Sequence, residues 1–498
     1  MSNIKKNIIA NYAGKIWATV INIAFVPFYI KYIGIEAYGL VGVFATIQPL
    51  MTILDMGMSP SISRELARYS ALPGQEQNMR NLVRTLELIY WGIAALLFII
   101  VLALAPLTVS HWFTPQKLPV SIINQSVVLM GLALVLQWPV GFYSGGLIGL
   151  QKQVIFNVFN AIMWTLRGFG ALLVVMLSSN PVLAFFWWQL LMSIINVFGI
   201  ATLLWRSLLP SPGPAQFRKD ILQSIWRFAF GMGSISVIIL IFNQLDKIIL
   251  SSKINLSMFG YYSVVWQVVG SLFLLYYPIY VAFSPVITQL YAQRDFENIK
   301  ITYQKGRQFM SVAVFPVSVV LAIFSKEILF IWTGDTIITE NCYLLLSIIT
   351  VGATFNGLFY MPYSMSQAYG QTKHLLYIFI SILVAYIPLV YLGIRIYGVY
   401  GAAIAFTVVS VIQQGIVNYV THRHFFLHEN IKWFFDDIGR PLFVAFITAA
   451  IAKYIINWPL TGIFGLFTIL GIYIVTLTAA ALITPFTRVS INKCFFNR

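Results

Sequence analysis

Long apolar runs follow one another along the whole chain, separated by short stretches rich in charge, proline or glycine. Each run reaches the roughly 20 residues that a helix needs to cross a bilayer, and the short alternating strands of a membrane barrel are not seen. The breaks predict fourteen transmembrane helices, near 8–33, 37–63, 81–108, 121–148, 153–178, 182–206, 221–251, 257–290, 303–332, 341–369, 374–396, 399–425, 435–456 and 460–484. The expected fold class is an all-α integral membrane protein. An even number of crossings places both termini on one side.

The segment 206–220, "RSLLPSPGPAQFRKD", breaks the pattern most clearly, with three prolines and a glycine between two helix-rich blocks. It divides the chain into a six-helix lobe over 1–206, a linker over 207–220, a second six-helix lobe over 221–430, and a terminal hairpin with its tail over 431–498. The two blocks echo each other at an offset of 221 residues. Gly39 of "EAYG" matches Gly260 of "SMFG", Gly149 of "GLQKQ" matches Gly370 of "GQTKH", and Lys152 matches Lys373. The "SP" at 59–60 recurs at 284–285 after a slip of four. The shared offset points to a duplication. A repeat with an even number of crossings enters the membrane in the same direction twice, as in transporters that rock around a central site. The final hairpin lies outside the repeat, where it is expected to line a portal between the lobes.

Composition agrees with the pattern: 59% of residues are hydrophobic, 9% are charged, and the mean hydropathy is +0.83. The net charge of +16 is spread over short loops, so it argues against nucleic acid. It reports topology instead. With the N-terminus in the cytoplasm, most of the 31 Lys and Arg fall on the cytoplasmic side. Lys31, Lys117, Lys253, Lys326, Arg395 and Lys453 lie outside, and Arg167 and Lys247 lie within spans. The two cysteines, Cys342 and Cys494, are far apart and imply no disulfide framework. The N-terminus lacks a cleavage-site pattern and is expected to be retained.

Ionisable groups deep in a bilayer cost about 2.5–3.5 kcal/mol on insertion scales, so they normally face a cavity, a partner or an ion path. Five stand inside the predicted spans: Asp55, Glu87, Arg167, Asp246 and Lys247. Arg167 lies about 18 Å from the apolar start of its helix at 1.5 Å per residue, too deep for easy snorkelling. It is expected to contact an anionic ligand in a cavity, with a salt bridge to another helix as the alternative. Asp246 and Lys247 are neighbours on one helix and diverge by about 100°. They are therefore expected to face different surroundings without forming a well-made pair. Asp55 and Arg64 share a face but stand about two and a half turns apart, unless Gly57 and Pro60 bend the helix. Glu87 is a proton site or a snorkelling carboxylate. Lys15 snorkels to the interface or points into an inward-open mouth.

Prolines inside predicted helices, at 27, 49, 139, 278, 316, 362 and 388, offer hinges, although proline is common in membrane helices. Gly141, Gly145 and Gly149 form two GxxxG steps that would let another helix approach closely. His422, His424 and His428 cluster in "HRHFFLH", but no acid or cysteine accompanies them, so no metal site is expected. The motifs of nucleotide and zinc chemistry are missing, and no resident cofactor is expected.

The stretches "NYAGKIWATVINIAFVPFYIKYIGIEAYGLVGVFATI" and "ILDMGMSPSISRELARYS" resemble the Wzx-type polysaccharide (O-antigen) flippases, as does the "LDKIIL" that contains Asp246 and Lys247. The likeness covers roughly residues 8–425, and the helix-2 signature here reads Asp55, Gly57, Arg64. It implies the multidrug/oligosaccharidyl-lipid/polysaccharide exporter superfamily, with two six-helix bundles forming a V and working by alternating access. It implies as substrate an undecaprenyl-diphosphate-linked oligosaccharide, moved from the cytoplasmic to the outer leaflet of the bacterial inner membrane. The implied partners are membrane lipid, a polysaccharide polymerase and a chain-length regulator. Fourteen helices depart from the commoner twelve and are similar to the lipid II flippases, whose extra pair forms a groove for the lipid tail.

Charge completes the expectation. A cationic, hydrated cavity would hold the diphosphate while the polyprenyl chain stays in lipid. Arg167 and Lys247 are the candidates for that cavity, with Arg64 and Lys15 near its cytoplasmic entrance. Asp246, Asp55 or Glu87 would carry a coupling proton or Na⁺. The protein is not expected to be an enzyme. The first rival is a drug/cation antiporter of the same superfamily, because the deep charges are mixed. The second is a membrane-embedded polysaccharide polymerase, which would need larger external loops than those near 109–120 and 333–340.

Overall fold

The structure is a computed structural model and describes residues 2–55, 57–220, 223, 234–371, 373–425, 435–456 and 461–485. His428, Cys494, the start of the predicted helix at 221 and the predicted tail over 486–498 lie outside the described residues. Among those described there is no strand, only an isolated bridge between Thr114 and Asn255. Twelve helices among them are long and apolar enough to cross a membrane. Ser2–Ala24 and Ser234–Lys253 are helical as well and overlap the first and seventh predicted runs. The protein is therefore a multi-pass, all-α membrane protein.

The chain divides into two compact units, Met1–Gly260 and Tyr261–Arg498. The first contains α1 (Ser2–Ala24), α2 (Val26–Leu54), α3 (Met58–Ser70), α4 (Glu76–Trp112), α5 (Val120–Gly149), α6 (Gln153–Leu177), α7 (Pro181–Ser207), α8 (Ser234–Lys253) and the start of α9 (Leu256–Val269). Helix α8, which follows the proline-rich linker, thus packs with the elements that precede it.

Local chemistry sets the breaks. Gly34, at φ +82°, interrupts α2 between the first two predicted helices, at a backbone angle that glycine tolerates without strain. The predicted second helix is itself split: α2 ends at Asp55, and Gly57 turns left-handed at φ +80°. The Asp55 carboxylate then accepts from the Ser59 amide at 3.2 Å, at the start of α3. The GxxxG steps of α5 find their partner here. A Cβ on Gly145 would stand 2.5 Å from the Ser59 carbonyl oxygen, and one on Gly149 would meet the Ser63 carbonyl. Around this crossing Ile62, Leu82, Leu86, Phe142, Leu147 and Ile200 form a fully buried core of α3, α4, α5 and α7.

The duplicated glycines meet. Gly39 lies against the Leu256 carbonyl and Gly260 against the Ile35 carbonyl, with no room for a side chain at either. Ile35 and Leu256 are themselves 221 residues apart, so the matched segments contact each other reciprocally. The linker is not loose. On α4, Gln77 bonds to the Gly213 amide and the Pro214 carbonyl, Asn81 accepts from the Gln216 amide at 2.8 Å, and Thr85 accepts from the Arg218 amide at 2.9 Å.

The second unit continues with the rest of α9 and then α10 (Phe273–Ala292), α11 (Phe296–Ile323), α12 (Ser325–Thr333), α13 (Thr336–Leu358), α14 (Tyr360–Ala368) and α15 (Lys373–Phe425). A π-helical turn, Phe435–Gly439, leads into α16 (Arg440–Ile455) and α17 (Gly462–Ile483). Asp295 and Asp335 cap α11 and α13 by accepting from amides of the first turn. Gly398, at φ +57°, interrupts α15 between the predicted eleventh and twelfth helices. Pro49, Pro139, Pro278, Pro316 and Pro388 lie inside continuous helices, and the non-helical breaks within α2 and α15 fall at glycines. The terminal hairpin joins the core of its own unit: Ala445 and Ala449 of α16 and Ile469 and Ile472 of α17 pack with Phe315 and Phe324. Lys453 pairs with Glu327 of α12.

Candidate functional site

Arg167 sits on α6 and lines a cavity of ≈ 250 Å³ with Gln48, Gln137, Ser144, Asn160 and Asn196. Four helices of the first unit hold it. Gln48 of α2 donates to Gln137 of α5 at 2.8 Å, and Gln137 donates to Ser193 of α7 at 3.0 Å. The Ser193 hydroxyl also accepts from the Arg167 guanidinium at 3.3 Å and donates to the Gln189 carbonyl at 2.8 Å. That hydroxyl is then saturated, with two bonds accepted and one donated. No carboxylate among the described residues lies within ion-pairing distance of Arg167. The Asn196 Oδ1 is buried without a partner among those residues. A guanidinium offering free N–H donors beside neutral amides is a binding arrangement for an anion.

A second cavity of ≈ 490 Å³ adjoins the first, sharing Gln48, Gln137, Gly141 and Ser144, and has Asp55 in its wall. The carboxylate is tied down. Tyr90 Oη and Ser59 Oγ both donate to Oδ1, the latter at 2.7 Å, and the Ser59 amide donates to Oδ2. Tyr90 is fixed in turn by stacking on Trp138 and Phe142, at centroid distances of 4.6 and 4.8 Å.

The other candidates stand elsewhere. Glu87 is neither snorkelling nor open: it accepts from Arg84 at 3.0 Å, Tyr143 at 2.8 Å and Trp205 at 3.0 Å, tying α4 to α5 and α7. Arg64 is exposed and pairs with Glu65 at 2.7 Å, as does Arg68 at the same distance. Lys15 is exposed on α1. Asp246 and Lys247 depart from expectation. Asp246 is buried and Lys247 partly so, and the Lys247 ammonium lies 3.6 Å from the Asp246 carboxylate while donating to the Asn243 carbonyl at 2.5 Å. A four-carbon stem that folds back along the helix overcomes the divergence of neighbouring positions. Neither residue lines the two cavities.

Two buried clusters were not foreseen. Glu36 accepts three backbone amides of one loop, from Gln116 at 2.6 Å, Lys117 at 2.9 Å and Leu118 at 3.3 Å. A carboxylate three residues before the matched Gly39 was the available signal. In the second unit, Arg307 approaches Asp437 at 3.7 Å and His422 at 3.3 Å, and Gln308 donates to Asp437 at 2.7 Å. These residues come from three separate elements, which no local spacing connects. No group of three or more metal-ligating residues occurs among the described residues.

The sequence matches the family described as "Polysaccharide biosynthesis protein" over residues 4–291 and the family described as "MatE" over residues 232–392. A Shigella flexneri protein named "Putative O-antigen transporter" is 26% identical over 185 residues, which are 37% of this chain and 43% of that protein. Less than half of that relative's length is therefore matched. Among solved structures, the lipid II flippase MurJ in an inward closed conformation superposes with a TM-score of 0.70 at 16% identity, over 97% of this chain and 99% of that one. An inward-facing multidrug resistance MATE family transporter reaches 0.66 at 15% identity, over 82% of this chain and 94% of its own. These likenesses concern the fold, whereas the first family match covers more than half of the sequence. The chain belongs to the polysaccharide biosynthesis protein family.

Proposed function

We propose that the protein flips an undecaprenyl-diphosphate-linked oligosaccharide from the cytoplasmic to the outer leaflet of the bacterial inner membrane by alternating access. The observation that carries this reading is Arg167: a cation deep in a membrane helix, lining a polar cavity and facing no carboxylate among the described residues. A diphosphate cannot enter hydrocarbon unaided, and a guanidinium with neutral amides around it would accept one without first breaking an ion pair. The family match, the similarity to an O-antigen transporter and the fold shared with a lipid II flippase support the same class of substrate. Both termini are then cytoplasmic, and the product passes to a polymerase and a chain-length regulator outside.

The coupling ion, a proton or Na⁺, is assigned to Asp55. Of the three candidate acids it alone lines one of the two cavities. Glu87 is held by Arg84 and two further donors, and Asp246 lies against Lys247. Lys247 and Arg64 are accordingly placed in supporting roles away from the diphosphate.

Locating the lipid-linked oligosaccharide in cells that lack the protein tests the proposal. Complete units accumulating on the cytoplasmic leaflet are expected. Unpolymerised units outside would point to a polymerase, and unchanged glycolipids with altered drug sensitivity would point to an antiporter. The Arg167→Gln protein should reach the membrane and fail to restore surface polysaccharide. Normal polysaccharide in that strain would remove Arg167 from the site.

A further inference from the structure

The second unit carries a dense patch of tyrosines that the charge-based mechanism leaves unused. On α10, Phe273, Tyr276, Tyr277 and Tyr280 gather around Tyr360, the first residue of α14. The Tyr276 ring stacks on Tyr360 at 5.4 Å, Tyr277 meets it edge-on at 6.2 Å, and Tyr280 approaches at 5.3 Å. The rings are half-buried, and Phe273 is 37% exposed, so the patch has an open face. Its rim is polar: Tyr280 Oη donates to Gln367 at 2.7 Å, and Gln367 is exposed. Gly357 makes the arrangement possible, since a Cβ there would stand 2.5 Å from the Tyr276 ring.

The duplication indicates what this surface corresponds to. Aligning the "SP" of 59–60 with that of 284–285 sets Gln48 against Phe273, Met51 against Tyr276, Thr52 against Tyr277 and Asp55 against Tyr280. Those four first-unit residues all line the ≈ 490 Å³ cavity. The tyrosine patch therefore occupies the positions of a cavity wall, with aromatic rings where the other copy has amide, thioether, hydroxyl and carboxylate.

We propose that this patch is the saccharide-binding surface, which rests on the flippase reading above and names a subsite within it. Pyranose rings present flat faces of C–H groups bounded by hydroxyls. The negative face of an aromatic ring attracts polarised C–H groups, and phenolic hydroxyls and a glutamine at the rim can bond to the sugar hydroxyls. Aliphatic side chains would give the same apolar area without that directionality.

The test is equilibrium binding to the full-length protein in lipid nanodiscs, with two probes. One is the lipid-linked saccharide that accumulates in cells lacking the protein, and the other is undecaprenyl diphosphate without sugar. Tyr360→Leu and, separately, Tyr277→Leu should weaken binding of the saccharide-bearing lipid by about tenfold and leave the sugar-free lipid unchanged, whereas Tyr360→Phe should bind nearly as wild type. Equal losses for both probes, or no loss for either in both leucine variants, would overturn the saccharide surface. A wild-type protein that binds neither probe, or cells that accumulate no such lipid, would instead overturn the flippase reading.

Discussion

Two segments that align on a Ser-Pro, 48–60 and 273–285, differ in backbone and in almost all their side-chain chemistry: the first runs from α2 past the left-handed Gly57 into α3, and the second lies within α10. In the first unit the segment is polar and networked: Gln48 begins a chain of hydrogen bonds that ends on Arg167, and Asp55 is anchored by Ser59 and Tyr90. In the second it is aromatic, held by ring stacking and by a bond from Tyr280 to an exposed glutamine. The difference shows that segments matched in sequence position can carry opposite kinds of chemistry. A polar network must be satisfied throughout, because an orphaned buried donor is expensive, whereas stacked rings tolerate adjustment.

That contrast can be broken by matched substitutions. The largest effect is expected for Asp55→Leu, which strips acceptors from the Tyr90 hydroxyl and from the Ser59 hydroxyl and amide. It should destabilise the protein by roughly 1–3 kcal/mol and abolish transport, seen as a lower thermal midpoint in detergent and a loss of surface polysaccharide. Tyr280→Leu at the matched position should leave the midpoint within about 1 kcal/mol of wild type in stability terms. If the two variants unfold alike, the aromatic surface is structural core and the comparison fails.

Glycine substitutions probe the same contrast with a smaller expected effect. A methyl group at Gly145 meets a backbone oxygen of α3, and one at Gly357 meets a tyrosine ring that can swing aside. Gly145→Ala should therefore cost about 1–2 kcal/mol, and Gly357→Ala less, in parallel melting curves. The reverse order would mean that Tyr276 is as rigid as a backbone. The smallest effect is expected at Glu87. Glu87→Gln keeps an acceptor for Tyr143 and Trp205 and loses only the pair to the half-exposed Arg84, a change of about 1 kcal/mol or less. Loss of transport in a stably folded Glu87→Gln protein would return Glu87 to the coupling machinery.

Much of the fold was legible in the apolar runs, because a bilayer demands long uninterrupted helices and punishes any other backbone. The breaks near Gly34 and Gly398 could be read from sequence for the same reason. What escaped was determined by side-chain reach and by distant partners. Lys247 folds back toward Asp246, and Asp437 meets Arg307 across 130 positions of sequence, whereas the bend at Gly57 was open to a reading of its glycine and proline. The tyrosine patch was hidden by its ordinary look, since aromatic residues are abundant along the whole chain.

The linker bears on how the chain can move. Fourteen residues, 207–220, fully extended would reach about 48 Å, enough to isolate one end mechanically from the other. With residues 213–218 fastened to Gln77, Asn81 and Thr85, the slack shrinks to six residues before the fastening and two after it, roughly 20 Å and 7 Å. The segment is then less a leash than a belt fastened to α4, and its residues 213–218 follow any displacement of that helix.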